Sequence, residues 1–429
     1  LKYYIETYGC TSNKSDSEIM EGILLKNGFQ KSNIEEAEII IINTCGVKKP
    51  TEDKILNRIK KLSSLEKKLI IAGCLPKIVF EKVVKAVPNF SAMIDPFSID
   101  KISEVCLRVL NGEKGIIVFS NKSPIKPCLP KKPSSKVIGI IQIAEGCTSA
   151  CSYCCVRFAR GRLQSYPYEK ILEDLKNFIN NGFKEIWLTS QDLSAYNYNG
   201  YKLPNLLNEI NKIPGEFFIR IGMMNPRTVL PIYKELAISF KNEKIFKFLH
   251  LPIQSGSNKV LKDMNRGYTI EDFKKIINEF KKENNNLTFS TDIIVGFPTE
   301  EEYDFKKTIE LIKEVKPDII NISKFFPRPK TPLEGEPTLP FEIIKKRIKE
   351  IFELSKKISF EKNMKYIGWI GKVLIDEKGC GNTWIGRNIF YKPIVIESNK
   401  NLLGKIIDVK IESAKATYLL GNPHILDVL

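Results

Sequence analysis

A chain of 429 residues exceeds what one hydrophobic core can hold and predicts about two to four domains. Its 43% hydrophobic residues suffice for those cores, but no run approaches the ~20 apolar residues of a membrane span, and the segment from Leu1 to Cys10 lacks the apolar stretch of a secretory signal, so a cytoplasmic protein without membrane contact is expected. The 67 Lys and Arg against 50 Asp and Glu leave +17, which favours a polyanionic partner, nucleic acid first, although a merely solvated basic surface fits equally well.

The first stretch reads as an open parallel α/β domain over residues 1–120. Strand patterns at Lys2 to Thr7, Glu38 to Asn43 and Lys68 to Ala72 alternate with helical ones, the first opening at a capping box, Ser15-Asp16-Ser17-Glu18, and the second covering Thr51 to Leu62. Cys10, Cys45 and Cys74 each fall just past the carboxyl end of a strand. Parallel strands bring those ends to one edge, where ligands of such sheets bind, so the three can converge on a metal; three buried cysteines acting as small hydrophobes is the alternative.

A Pro-rich stretch over residues 121–136, with Pro124, Pro127, Pro130 and Pro133, predicts a stiff polar linker in which Cys128 is incidental. Over residues 137–365, strands near Ile138 to Ala144, Glu185 to Thr189, Phe217 to Ile221, Lys247 to Leu251, Leu287 to Val295 and Ile319 to Phe325 alternate with amphipathic helices. Six βα repeats predict a partial parallel barrel, closed by a helix from Phe341 to about Lys362. Residues 366–429 change texture to short β segments, Trp369 to Asp376, Ile394 to Ile396, Leu403 to Ile411 and Ala416 to Leu420, as expected of a small all-β, OB-like barrel.

Ten cysteines in a reducing compartment are not expected to form a disulfide framework, and two histidines leave little for a His-based zinc site or a Ser-His-Asp hydrolase. The chemistry therefore rests on Cys147, Cys151 and Cys154, a C-x3-C-x2-C directly after the first barrel strand. Three close thiolates suit a four-iron cluster with one iron left open; a zinc ion would want a fourth ligand, and adjacent Cys155 diverges too sharply to supply it.

This motif, in this place, resembles that of the radical S-adenosylmethionine (SAM) superfamily. The resemblance implies that the open iron chelates SAM, whose one-electron cleavage gives a 5′-deoxyadenosyl radical while the protein positions and shields it. Tyr8-Gly9-Cys10 with Asn13 and Asp16-Ser17-Glu18, Asn43-Thr44-Cys45-Gly46-Val47 and Ala72-Gly73-Cys74-Leu75-Pro76 are similar to the three cysteine boxes of methylthiotransferases. His250 to Ser257, Met264 to Tyr268 and Thr291 to Pro298 resemble that family's barrel motifs. The family implies a second 4Fe-4S cluster on Cys10, Cys45 and Cys74, an RNA-binding TRAM domain at the carboxyl terminus, tRNA as partner, an electron donor and a sulfur source.

Ala159 to Pro167 and Val47 to Asp53 resemble the archaeal and eukaryotic branch, which implies methylthiolation at C2 of the threonylcarbamoylated adenosine next to the anticodon. The chain departs from the family pattern at Thr148-Ser149 and at Lys77, neither of them a ligand. The other branches act on isopentenyladenosine in tRNA or on a ribosomal-protein aspartate; a non-enzymatic iron–sulfur RNA-binding protein is the rival of another class. By their places at the barrel mouth, Tyr153, Gln191, Arg220, Gln254, Ser255 and Asp292 are expected to contact SAM, and Arg157, Arg160 and Arg162 to contact substrate. Satisfied polar residues buttressing loops is the alternative for Gln191, Arg220, Gln254, Ser255 and Asp292, and a solvated basic loop for the three arginines. His250 is expected to be a hydrogen-bonded core residue, and Cys155 to serve packing.

Overall fold

The computed structural model describes residues 1–424. The amino-terminal sheet is parallel throughout, ordered Gln30–Lys31, Lys2–Thr7, Ile39–Thr44, Lys68–Gly73, Ala92–Ile94, Ile116–Val118. Its central strands Ile39–Thr44 and Lys68–Gly73 are almost wholly buried, because helices cover both faces and every side chain must be apolar or bonded. The register sets Thr7 level with Asn43 through Tyr3↔Ile39, and Thr44 level with Gly73, so the three cysteine loops leave from one edge. Gly73 is required there: its φ is +93°, and a Cβ would lie 2.4 Å from Asn43 Oδ1.

The first helix differs from expectation, running over Thr11–Lys26 instead of opening at Ser15. Asp16, Ser17 and Glu18 are buried in its interior, where partners outside the helix take their polar atoms, and Ser15 is buried beside them with its hydroxyl unpartnered. Asn43 donates to Ser17 Oγ at 2.9 Å and Ser134 donates to Glu18 Oε1 at 2.6 Å. The proline-rich stretch differs too. It is packed against this helix, with the Lys132 amide donating to Glu18 O at 2.8 Å and Lys126 fully buried.

The central barrel is partial, as predicted. Strands Ile138–Gln142, Glu185–Thr189 and Phe218–Ile221 form one parallel half, and Phe248–His250, Thr288–Val295 and Ile319–Lys324 the other. A parallel bridge between Ile219 and Ile245 joins them. Helix Phe341–Met364 packs on the last strand and leads into a closed five-stranded barrel ordered Ile370–Lys378, Thr383–Asn388, Pro393–Glu397, Leu419–Pro423, Ile406–Ala414. Strand Thr383–Asn388 escaped the sequence reading because its inward positions are Trp384, Gly386 and Asn388, a poor hydrophobic alternation. Gly386 is needed where a Cβ would meet Val373 at 2.5 Å.

This small barrel seals the floor of the large one. Tyr391 Oη donates to Glu185 Oε1 at 3.0 Å, and Lys392 Nζ donates to Asp318 Oδ1 at 2.6 Å. Glu185 and Asp318 lie at the amino ends of barrel strands, so the carboxyl-end mouth stays on the side that faces the amino-terminal cysteines.

Candidate active site

The loop carrying Cys147, Cys151 and Cys154 is pinned at its neck. Glu145 pairs with Gln164, the Cys147 amide donates to Gly161 O at 3.3 Å, and the Gly146 amide donates to Gln191 Oε1 at 2.6 Å. Its crest is held by the Met264 to Tyr268 turn: the Ser152 amide and hydroxyl donate to the carbonyls of Met264 and Asp263, at 3.1 and 2.8 Å, and Asn265 donates to Ala150 O at 2.8 Å. Two donors reach sulfur. Arg266 Nη1 lies 3.3 Å from Cys151 Sγ, and the Ser149 amide lies 3.4 Å from Cys147 Sγ.

Burial pushes the Cys147 and Cys154 thiols upward, so bare thiolates are disfavoured there and positive iron would compensate them. Among the described residues no three His, Cys, Asp or Glu side chains are drawn together tightly enough to hold a single metal ion. Three thiols on one loop are the donor set that a 4Fe-4S core with one open iron takes.

The amino-terminal cysteines do converge. The side chains of Cys10 and Cys74 both approach Asn13 Oδ1, at 3.9 and 3.8 Å, and a Cβ on Gly9 would touch Cys45 at 2.8 Å. Burial raises Cys74 to about 12 and also raises Cys45; nearby thiols add to both shifts and the charge of Arg160 opposes them. The two cysteine sets adjoin, since the Cys155 thiol, next to Cys154, donates to the carbonyl of Gly46, next to Cys45, at 3.3 Å.

The other expected site residues separate into groups. Tyr153 packs with Val260, Met264, Phe297 and Phe325 beneath the cluster loop, its hydroxyl 3.4 Å from Arg266. Asp292 accepts from Asn321 at 2.7 Å and pairs with His250 Nε2 at 2.9 Å; these bonds hold its carboxyl below the usual range despite burial, with Lys48 contributing. Gln254 sits at φ +74°, a strained conformation of the kind that clusters at functional loops. Gln191 bridges the cluster loop to Ser12, at 3.2 Å, and buried Ser255 accepts from the Ser257 amide, so both buttress loops.

Two expectations are corrected. Arg220 lies against the rings of Trp187, Phe248 and Tyr391, at 4.9, 5.3 and 5.5 Å, and so turns toward the sealed floor instead of the mouth; the aromatic faces attract its charge. Arg160 is 1% exposed and bonded to Glu145, Asn13 and Asp16, which removes it from contact with a substrate. Arg157 and Arg162 form no ion pair among the described residues, and Arg162 is exposed. Arg266 and Asn225 were missed as site residues. Asn225 links Arg266 to Ser149 and lies beside buried Asp192.

Residues 141–312 match the Radical SAM superfamily, 2–95 the Uncharacterized protein family UPF0004, and 365–423 the TRAM domain. Among solved structures, the radical SAM methyltransferase TsrM from Kitasatospora setae aligns at a TM-score of 0.59 with 12% identity, over 77% of this chain and 73% of that one. A barrel of this kind, with a second cysteine set over its mouth and a TRAM barrel below, defines a radical SAM methylthiotransferase. Similar chains narrow the class. A probable threonylcarbamoyladenosine tRNA methylthiotransferase of Methanothermobacter thermautotrophicus is 41% identical over 98% of this chain and 99% of its own length. A threonylcarbamoyladenosine tRNA methylthiotransferase of Mus musculus is 34% identical over 98% of this chain and 74% of its own. The chain belongs to the threonylcarbamoyladenosine tRNA methylthiotransferase family.

Proposed function

We propose that this protein inserts a methylthio group at C2 of threonylcarbamoyladenosine beside the anticodon of tRNA. The observation that carries the reading is the meeting of two cysteine triads at one barrel mouth, tied through the Cys155–Gly46 bond. In this reading Cys147, Cys151 and Cys154 bind one 4Fe-4S cluster and Cys10, Cys45 and Cys74 the other. Bound there, the clusters supply the electron for SAM cleavage and hold the sulfur to be transferred.

The chain's own part is placement. Arg266 and the Ser149 amide direct N–H groups at two thiolates, and in this reading Tyr153, Gln254 and Asp292 contact SAM, Gln254 from its strained turn and Asp292 held by His250 and Asn321. Adenine C2–H resists acid–base removal, so the site has no use for a His or carboxylate pair, and His250 serves to orient Asp292. With Arg160 buried, the substituent's carboxylate falls to Arg157, Arg162 or Lys48, the last near enough to bias Asp292. A cytoplasmic location, an electron donor and a sulfur source belong to the same proposal, as does division of the chain into 1–120, 121–136, 137–365 and 366–429. No helix among the described residues is long and apolar enough to cross a membrane.

The test is turnover by the anaerobically reconstituted enzyme on tRNA bearing threonylcarbamoyladenosine, isopentenyladenosine or unmodified adenosine, read by nucleoside mass spectrometry. A site that pairs a buried polar group rejects an analogue lacking it by ~10⁴ or more. Product on the first substrate alone is expected; equal rates on the isopentenylated tRNA would overturn the substrate assignment and leave the chemistry intact.

A further inference from the structure

Arg160 belongs to the SAM-cluster loop by sequence, ending helix Val156–Arg160, yet its bonds run to the amino-terminal domain. Nη2 donates to Asn13 Oδ1 at 2.6 Å and to Asp16 Oδ2 at 2.8 Å, and Nη1 donates to Glu145 Oε1 at 2.5 Å. Lys126 completes the group, reaching Asp16 at 2.6 Å and Glu145 at 2.5 Å. All four charged side chains are at most 1% exposed, so two cations and two carboxylates neutralise each other away from water. Breaking such a set by removing one member is costly, and its presence asks for a reason beyond stability.

The reason lies in what Arg160 does to Asn13. The Asn13 amide donates to Tyr8 O and Thr44 O, both at 2.8 Å, stapling the loop before Cys10 to the one before Cys45. Its Oδ1 accepts from Arg160 and faces Cys10 and Cys74. The guanidinium therefore fixes which way the amide points and is the member of this neutral group that faces the cysteine side, through Asn13.

We propose that Arg160 is a positioning residue for the amino-terminal cysteine set, holding Asn13 in register and setting the charge felt by the cluster bound at Cys10, Cys45 and Cys74. The inference rests on the two-cluster reading above. An iron core on three thiolates carries negative charge that grows on reduction, and a fixed cation in a low-dielectric interior favours the reduced form. Because the same side chain closes the neck of the Cys147–Cys154 loop through Glu145, it also fixes the placement of one cysteine set against the other.

The experiment is a redox titration of the reconstituted full chain, followed by electron paramagnetic resonance, which reads each cluster separately. The charge-balanced variant D16N/R160Q keeps the buried group neutral and leaves Glu145, at the neck of the Cys147 loop, paired with Lys126. Its auxiliary cluster is expected to become harder to reduce, by the order of the ~59 mV that a tenfold change in a one-electron equilibrium represents, while the cluster at Cys147, Cys151 and Cys154 keeps its potential. R160K retains the charge and should stay near wild type; N13D sets a carboxylate against Arg160, gives up the amide's bonds to Tyr8 O and Thr44 O, and should move the auxiliary potential the same way as D16N/R160Q. The N13D result stands even if the double variant does not fold. An unchanged auxiliary potential in a variant with full iron, or equal shifts in both clusters, overturns the proposal. A wild type with one cluster and one potential would overturn the two-cluster reading first, and this inference with it.

Discussion

Arg328, on the loop after the last barrel strand, donates from Nη2 to Glu52 Oε2 at 2.5 Å, and both side chains are buried. The same nitrogen donates to Gly46 O at 2.5 Å, so this pair clamps the Cys45 loop onto the barrel mouth. Which partner is lost should matter. Glu52→Ala leaves a buried guanidinium without its carboxylate and should cost about 3–5 kcal/mol. Arg328→Ala should cost less, because Glu52 keeps Lys82 at 3.2 Å and Lys49 at 3.7 Å. Denaturant unfolding of the two variants checks the order; equal losses would contradict it.

The cysteine sets should be separable. After anaerobic reconstitution, the Cys147→Ala, Cys151→Ala, Cys154→Ala variant is expected to retain about half the iron, since each set would hold its own cluster. The Cys10→Ala, Cys45→Ala, Cys74→Ala variant should still release 5′-deoxyadenosine from SAM with dithionite, yet make no methylthiolated nucleoside. Full product from the latter would remove the sulfur-holding role from the amino-terminal set.

The seam between the two barrels should be sensitive to pH. Burial, helped by the negative Glu185 and Glu377 and opposed by Arg387, pushes the Asp376 carboxyl up to about 7. The folded protein thus holds a proton that the unfolded chain releases near its ordinary value of 3.8. Stability from this group is full below that value and falls as pH rises toward about 7. Thermal unfolding between those limits should show the decline in wild type and a flatter profile in Asp376→Asn; parallel profiles would argue against it.

Binding of tRNA should weaken with salt, and the exposed lysines of the carboxyl-terminal barrel should contribute. Deleting that barrel would uncover Glu185 and the aromatic floor, so point changes are the cleaner probe. Lys405→Glu and Lys410→Glu, both at exposed positions, should each lower affinity and reduce the slope of log K against log salt by about one if a phosphate contact is lost. Unchanged slopes would shift the contact toward Arg157 and Arg162.

What the sequence by itself determined is local or periodic. Cys147, Cys151 and Cys154 lie within one loop, where spacing alone limits what they can hold. The alternation of strands and helices implied parallel sheets, and parallel strands deliver their carboxyl ends to one edge, which is why Cys10, Cys45 and Cys74 could be read together. Only the tertiary structure decided the fate of the charged residues. Arg160 read as one of three basic residues reaching substrate at the mouth, and Lys126 as part of a polar linker, whereas both are buried with Asp16 and Glu145. Arg220 likewise moved from the mouth to the aromatic floor once Tyr391 of another domain was in place. A charge can be buried only where its counter-charge is supplied, and here the partner comes from elements up to 276 residues away, as between Glu52 and Arg328. No local pattern encodes such a meeting; it exists only after the separate cores have formed and docked.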